Sequence, residues 1–97
     1  MIDLAPEHRQ MLADIFMHYA PGAKLYAFGS RTQGLAKTHS DIDILLDPQD
    51  TMPMLQRACL RMALEDSDLP MRVDWHVLKE VPAYLQKQAL PENIIPT

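Results

Sequence analysis

Two aspartates two positions apart, Asp41 and Asp43, open an apolar run, Asp41-Ile42-Asp43-Ile44-Leu45-Leu46. Side chains alternate faces along an extended chain, so Asp41 and Asp43 point one way while Ile42, Ile44 and Leu46 point the other. Two anions on one face repel unless a cation lies between them. A divalent metal with oxygen ligands, such as Mg²⁺, is the simplest occupant. A third carboxylate, Asp74, lies in Met71-Arg72-Val73-Asp74-Trp75-His76-Val77-Leu78, where Val73, Trp75 and Val77 share one face and Arg72, Asp74 and His76 share the other. An acid inside so apolar a stretch is costly to bury without a partner. If the two stretches pair as strands with their apolar faces together, all three carboxylates fall on the opposite, open face. Upstream stands Phe28-Gly29-Ser30-Arg31-Thr32-Gln33-Gly34. A glycine after an apolar strand allows a sharp turn and close ligand approach. Gly29-Ser30 also offers backbone N–H groups and a hydroxyl to a phosphate.

Carboxylates beside a phosphate cradle suit two-metal phosphoryl or nucleotidyl transfer. Two ions about 3.5–4 Å apart clamp the attacking and leaving oxygens of an in-line displacement. In this scheme Asp41 and Asp43 hold the metals, Asp74 completes the second ion's shell or acts as base, and Ser30 with its neighbouring N–H groups holds the β- and γ-phosphates. Plainer readings stand beside it. Asp41 and Asp43 could be solvated strand acids, Asp74 could pair with Arg72 or a lysine, and Arg31 could be either a phosphate contact or a surface charge. His76 shares the face of Asp74 and could line the site, whereas His39 reads as a loop histidine.

The elements that position these groups follow from periodicity. Residues 6–20 carry Met11, Leu12, Ile15, Phe16 and Tyr19 at helical spacing, with Pro6 in the first turn, Glu7 at the positive end, and Pro21-Gly22 as the stop. Lys24–Phe28 reads as a strand, Thr32–Ala36 as a short helical turn, 37–40 as an exposed loop, and Asp41–Asp47 as the second strand. Thr51 reads as an N-cap with Pro53 in the first turn of a second helix reaching about residue 66. Its expected apolar stripe is Met54, Leu55, Ala58, Cys59, Met62 and Ala63, and methionines there read as core gap-fillers. Met71–Leu78 is the third strand and 82–90 a short helix starting at a proline. The tail, 91–97, has two isoleucines, Ile94 and Ile95, with no evident core to join.

Ninety-seven residues, 47% of them apolar, are enough for one small folded domain spanning 1–97. The formal charge of −4 argues against strong intrinsic attraction to nucleic acid. The single cysteine, Cys59, makes no internal disulfide and reads as an inert thiol on the helix stripe, which fits a reducing compartment. No apolar run reaches the roughly 18 residues of a membrane span, and the N-terminus lacks the pattern of a signal peptide. A cytoplasmic protein is the expectation.

The run Gly29-Ser30-Arg31-Thr32-Gln33-Gly34, followed by Ser40-Asp41-Ile42-Asp43-Ile44-Leu45, resembles the Gly-Ser…Gly…Ser-Asp-x-Asp-Leu signature of the minimal nucleotidyltransferases of the DNA polymerase β superfamily. Arg72-Val73-Asp74-Trp75 is similar to that family's third carboxylate strand. Gln33 and Ile44 depart mildly, since a basic or small residue and a leucine are usual there. The resemblance spans roughly residues 10–90. It implies an α/β (α+β) fold with a small mixed sheet and helices packed mainly on one face. It also implies Mg²⁺-dependent transfer of a nucleoside monophosphate from a nucleoside triphosphate, ATP in particular, to a hydroxyl. Catalytic and metal-binding roles carry onto Asp41, Asp43 and Asp74, and phosphate-binding roles onto Gly29, Ser30, Arg31, Gly34 and Ser40. Short members of this family often work with a helical HEPN protein, an RNase toxin whose tyrosine they modify with AMP, and so serve as its antitoxin. The chain's small size points the same way, because a pocket walled over most of its ligand calls for a second chain. Tyr84, Ile94 and Ile95 are candidate contacts in such a homo- or hetero-oligomer. The alternative is a non-catalytic antitoxin that neutralises its helical partner by complex formation.

Overall fold

The computed structural model describes residues 2–32 and 41–97. Its order is α1 (Pro6–Tyr19), β1 (Lys24–Phe28), a 3₁₀ turn (Gly29–Thr32), β2 (Ile42–Asp47), α2 (Met54–Glu65), β3 (Val73–Val77), a 3₁₀ turn (Leu78–Glu80), α3 (Ala83–Gln86), a 3₁₀ turn (Pro91–Asn93) and β4 (Ile94–Ile95). The four strands form one mixed sheet in the order β3-β2-β1-β4. β1 pairs antiparallel with β2 and β4, while β2 and β3 run parallel. Parallel neighbours need a crossover connection, and α2 is that connection.

The alternation read in β2 decides which face is covered. Ile42, Ile44 and Leu46 are fully buried and join Leu25 and Ala27 of β1, Val77 of β3 and Ile95 of β4. Leu12 and Phe16 of α1 and Leu60 and Leu64 of α2 complete this cluster. Trp75 packs against it, its ring edge-on to Phe16 with centroids 6.3 Å apart. Helices on one face of a small mixed sheet are the expected architecture. Leu45, on the carboxylate face, is buried as well, outside this cluster.

Several local expectations are corrected. Thr51 is not the α2 cap. Pro53 holds that place with extended backbone (φ −62°, ψ 158°) and no side-chain cap, and its carbonyl accepts the first helical bond from Arg57 N–H at 3.1 Å. The predicted stripe of α2 is also not its core face. Met54 and Leu55 are 87% and 77% exposed and Met62 is 62% exposed, while Leu60 and Leu64 are buried. The helix is turned so that its branched leucines meet the sheet and Arg57 lies at the rim. There the Arg57 guanidinium donates to the Met52 carbonyl (2.8 Å) and to both carboxylate oxygens of Glu80 (2.7 and 2.6 Å). Met52 and Met71 are buried, so the methionines divide between core and surface.

The helix expected over 82–90 shortens to four residues, Ala83–Gln86. Beyond Lys87 the backbone closes tighter turns, Gln88 N–H to Leu85 and Ala89 N–H to Gln86, before Pro91 ends the run. Ile94 and Ile95 do join this chain's own sheet, Ile95 opposite Leu25 and Ile94 opposite Tyr26. Ile95 is buried and is therefore no partner contact. Ile2 and Leu4 are buried too, with Arg9 donating to the Leu4 carbonyl at 3.1 Å. Among the described residues, no helix is long and apolar enough to cross a membrane.

Phe16 is fully buried and touches the chain's sole tryptophan. Phe16→Ala is expected to cost about 3–5 kcal/mol of stability. Urea unfolding followed by Trp75 fluorescence measures it, with an altered folded-state spectrum as the sign of the lost edge contact.

Candidate active site

Register assembles the site. Asp43 lies opposite Phe28 of β1 on one side and opposite Asp74 of β3 on the other. Asp41, one residue before β2, projects to the same side as Asp43 by the alternation of the strand. Three aspartates from two parallel segments thus crowd one end of the sheet's open face. Burial of the Asp43 carboxyl, then the charges of Asp74 and Asp41, push its pKa above the ordinary carboxylate range, and His76 partly offsets them. The structure therefore brings together the carboxylates that the sequence singles out.

Two basic side chains flank them. The Arg72 guanidinium lies 3.3 Å from Asp41 Oδ2, and His76 Nε2 lies 3.5 Å from Asp74 Oδ1. The plainer reading, in which Arg72 pairs with Asp74, is replaced by pairing with Asp41. His76 does line the site, as its place two residues beyond Asp74 on one face requires.

Gly29 is the second half of the arrangement. It follows β1 directly and adopts φ +79°, a backbone region that L side chains rarely enter. A Cβ built there would lie 2.4 Å from Asp43 Oδ2. The close approach foreseen for a ligand is thus first an approach to the chain's own carboxylate. The 3₁₀ turn that starts at Gly29 is tied by the Thr32 hydroxyl, which donates to the Gly29 carbonyl at 2.8 Å.

Arg31 closes this turn onto the N-terminal segment. It is only 5% exposed, Nη1 donates to the Asp3 carbonyl at 2.8 Å, and Asp3 N–H donates back to the Arg31 carbonyl at 2.7 Å. Its place is a buried clasp rather than a surface charge. Sequence reasoning missed this clasp; the alternation Ile2-Asp3-Leu4, apolar-polar-apolar, is the signal that could have found it. The Ser30 side chain, Gly34, His39 and Ser40 lie outside the described residues, as does most of the turn expected over 32–36.

The donor set suits a hard cation. Carboxylate oxygens are hard donors, and the Asp43 pKa is raised by burial first and then by the charges of Asp74 and Asp41. Among the described residues no three His, Cys, Asp or Glu side chains form a ready metal cage. Beside the carboxylates runs a groove of about 860 Å³ between β3 and α2, lined in part by Arg57, Arg61, Arg72, Asp74 and His76.

Residues 10–95 match the family described as polymerase beta, nucleotidyltransferase. The Haemophilus influenzae protein named probable protein adenylyltransferase MntA is 36% identical over 73 residues, covering 75% of this chain and 64% of the relative. A crystal structure of a toxin–antitoxin with AMP-PNP superposes with a TM-score of 0.68 at 30% identity, over 82% of this chain and 64% of that one. A solved structure assigned as a minimal nucleotidyltransferase gives 0.69 at 27% identity, over 94% and 90%. This chain spans a little under two thirds of the first two.

Gly29→Ala is expected to lower stability by about 1–3 kcal/mol through backbone strain and to displace the Asp43 carboxylate. Thermal melting together with loss of divalent-ion binding checks both effects. A raised folded-state pKa means that Asp43 adds stability below its unfolded value, and this contribution is lost as pH rises through the raised one. Asp43→Asn is therefore expected to melt higher than the parent at neutral pH, with the gap closing as pH falls through the carboxylate range. A constant gap across that range would contradict the cause assigned here.

Proposed function

The chain belongs to the polymerase beta nucleotidyltransferase family, and from that premise we propose that it transfers AMP from ATP to a hydroxyl of a partner protein, a tyrosine of a helical HEPN-type RNase toxin, and so acts as its antitoxin. The observation that carries the transferase reading is the crowding of Asp43 by Asp74 and Asp41 next to the side-chain-free Gly29. The adenylyltransferase name of the Haemophilus relative supports AMP transfer to protein, and the AMP-PNP-bound toxin–antitoxin neighbour supports both nucleotide and partner.

Asp41, Asp43 and Asp74 would hold two Mg²⁺ ions. When bound, these supply charge stabilisation to the triphosphate and lower the pKa of the attacking hydroxyl. The remaining work falls to the chain's own groups. Backbone N–H groups at Gly29-Ser30 receive phosphate oxygens, with Arg31 holding that turn to the N-terminal segment. Gly34 and Ser40 would extend the same cradle. The acceptor oxygen bonds to the α-phosphorus as the bond to the bridging β-phosphate oxygen breaks and pyrophosphate leaves. The hydroxyl proton passes to a carboxylate oxygen of the triad, with Asp74 the acceptor where it is not a metal ligand.

The setting would be cytoplasmic. A partner is also supported by exposed apolar side chains on α2, Met54, Leu55 and Met62, and by Tyr84 on α3. The same surface favours the second reading, in which complex formation by itself silences the toxin.

Incubation with Mg²⁺, α-labelled ATP and the co-purifying partner distinguishes them. Label is expected on the partner, falling on the order of a hundredfold or more in Asp43→Asn. If a doubly substituted Asp41→Asn/Asp43→Asn protein still neutralised the partner, complex formation would replace AMP transfer as the antitoxin mechanism. Label on RNA instead would keep the enzyme class and change the acceptor.

A further inference from the structure

Arg72 precedes β3 and is 81% exposed, yet its guanidinium lies against Asp41, one of the carboxylates assigned to metal. Its backbone carbonyl accepts the Ile42 N–H at 2.9 Å, which fixes the root of this side chain directly beside the start of β2. A guanidinium and a divalent cation seek the same carboxylate oxygens. They compete for Asp41, because both are positively charged and each is held by the same carboxylate charge.

We propose that Arg72 is a resident countercharge for Asp41, displaced when a divalent cation enters, and that the freed guanidinium then serves the anionic triphosphate. This rests on the metal-dependent reading above. The long, exposed side chain costs little to move, since a solvent-exposed ion pair is a weak contact. Its charge and planar fork suit phosphate oxygens. Arg72 thus acts as a positioning residue whose effects on the two ligands have opposite sign. It opposes the bare metal and favours the nucleotide that arrives with it.

Mn²⁺ titration of the nucleotide-free protein by electron paramagnetic resonance tests the first half. A non-hydrolysable ATP analogue at saturating Mg²⁺ tests the second. Arg72→Gln is expected to tighten Mn²⁺ binding by about two- to fivefold, the scale of an exposed ion pair, and to weaken the analogue by a similar factor. Arg72→Lys keeps the charge but not the planar fork, and should stay close to the parent on Mn²⁺. Arg61→Gln, an exposed cation lining the same groove, should leave Mn²⁺ affinity unchanged. Equal tightening by Arg61→Gln would reduce the effect to general field and overturn the proposal. So would weakening of both ligands by Arg72→Gln, which marks a merely structural role, or no change in either. Mn²⁺ binding by the parent that is lost in Asp43→Asn keeps the metal reading whatever Arg72 does. Absence of Mn²⁺ binding in the parent sinks that reading, and this proposal with it.

Discussion

Asp43 sits between Phe28 and Asp74 on adjacent strands, with the Gly29 backbone pressed against its carboxylate. Partial burial and two neighbouring anions oppose its ionisation, and among the described residues His76 offsets them in part. The glycine supplies the space, the 3₁₀ turn holds the glycine, and the Arg31 clasp anchors the turn to the N-terminal segment. A folded chain retains such strain when the rest of its packing outweighs it and function uses it.

That packing lies on the other face of the same strands. Ile42, Ile44 and Leu46 alternate with the acids and are buried beneath α1 and α2. Each strand therefore does two jobs in register, and a one-residue slip would move the carboxylates into the core. The parallel pairing of β2 with β3 matters for the same reason. It brings the acids of both strands to one end of the sheet, where the turn after β1 also arrives.

The apolar periodicity of α2 illustrates the limit of pattern reading. Met54, Leu55, Ala58 and Met62 form as regular a stripe as Leu60 and Leu64 with their neighbours, but the former faces outward. Two candidate faces on one short helix differ in energy by how well their side chains fit the sheet, and periodicity carries no record of that fit. The tail shows the converse. Ile94-Ile95 is too short to declare itself as a strand, and it gains that state by pairing with β1.

The sequence by itself determined the strands bearing Asp43 and Asp74, the common face of Asp41 and Asp43 and the turn at Gly29, because alternation and glycine chemistry are local properties of the chain. Tertiary structure alone decided that Asp74 lies in register with Asp43, that Arg72 turns to Asp41, that Arg31 is a buried clasp, and which face of α2 meets the sheet. Each of these depends on contacts between residues far apart in the chain, whose relative energies are set only when the elements pack against one another.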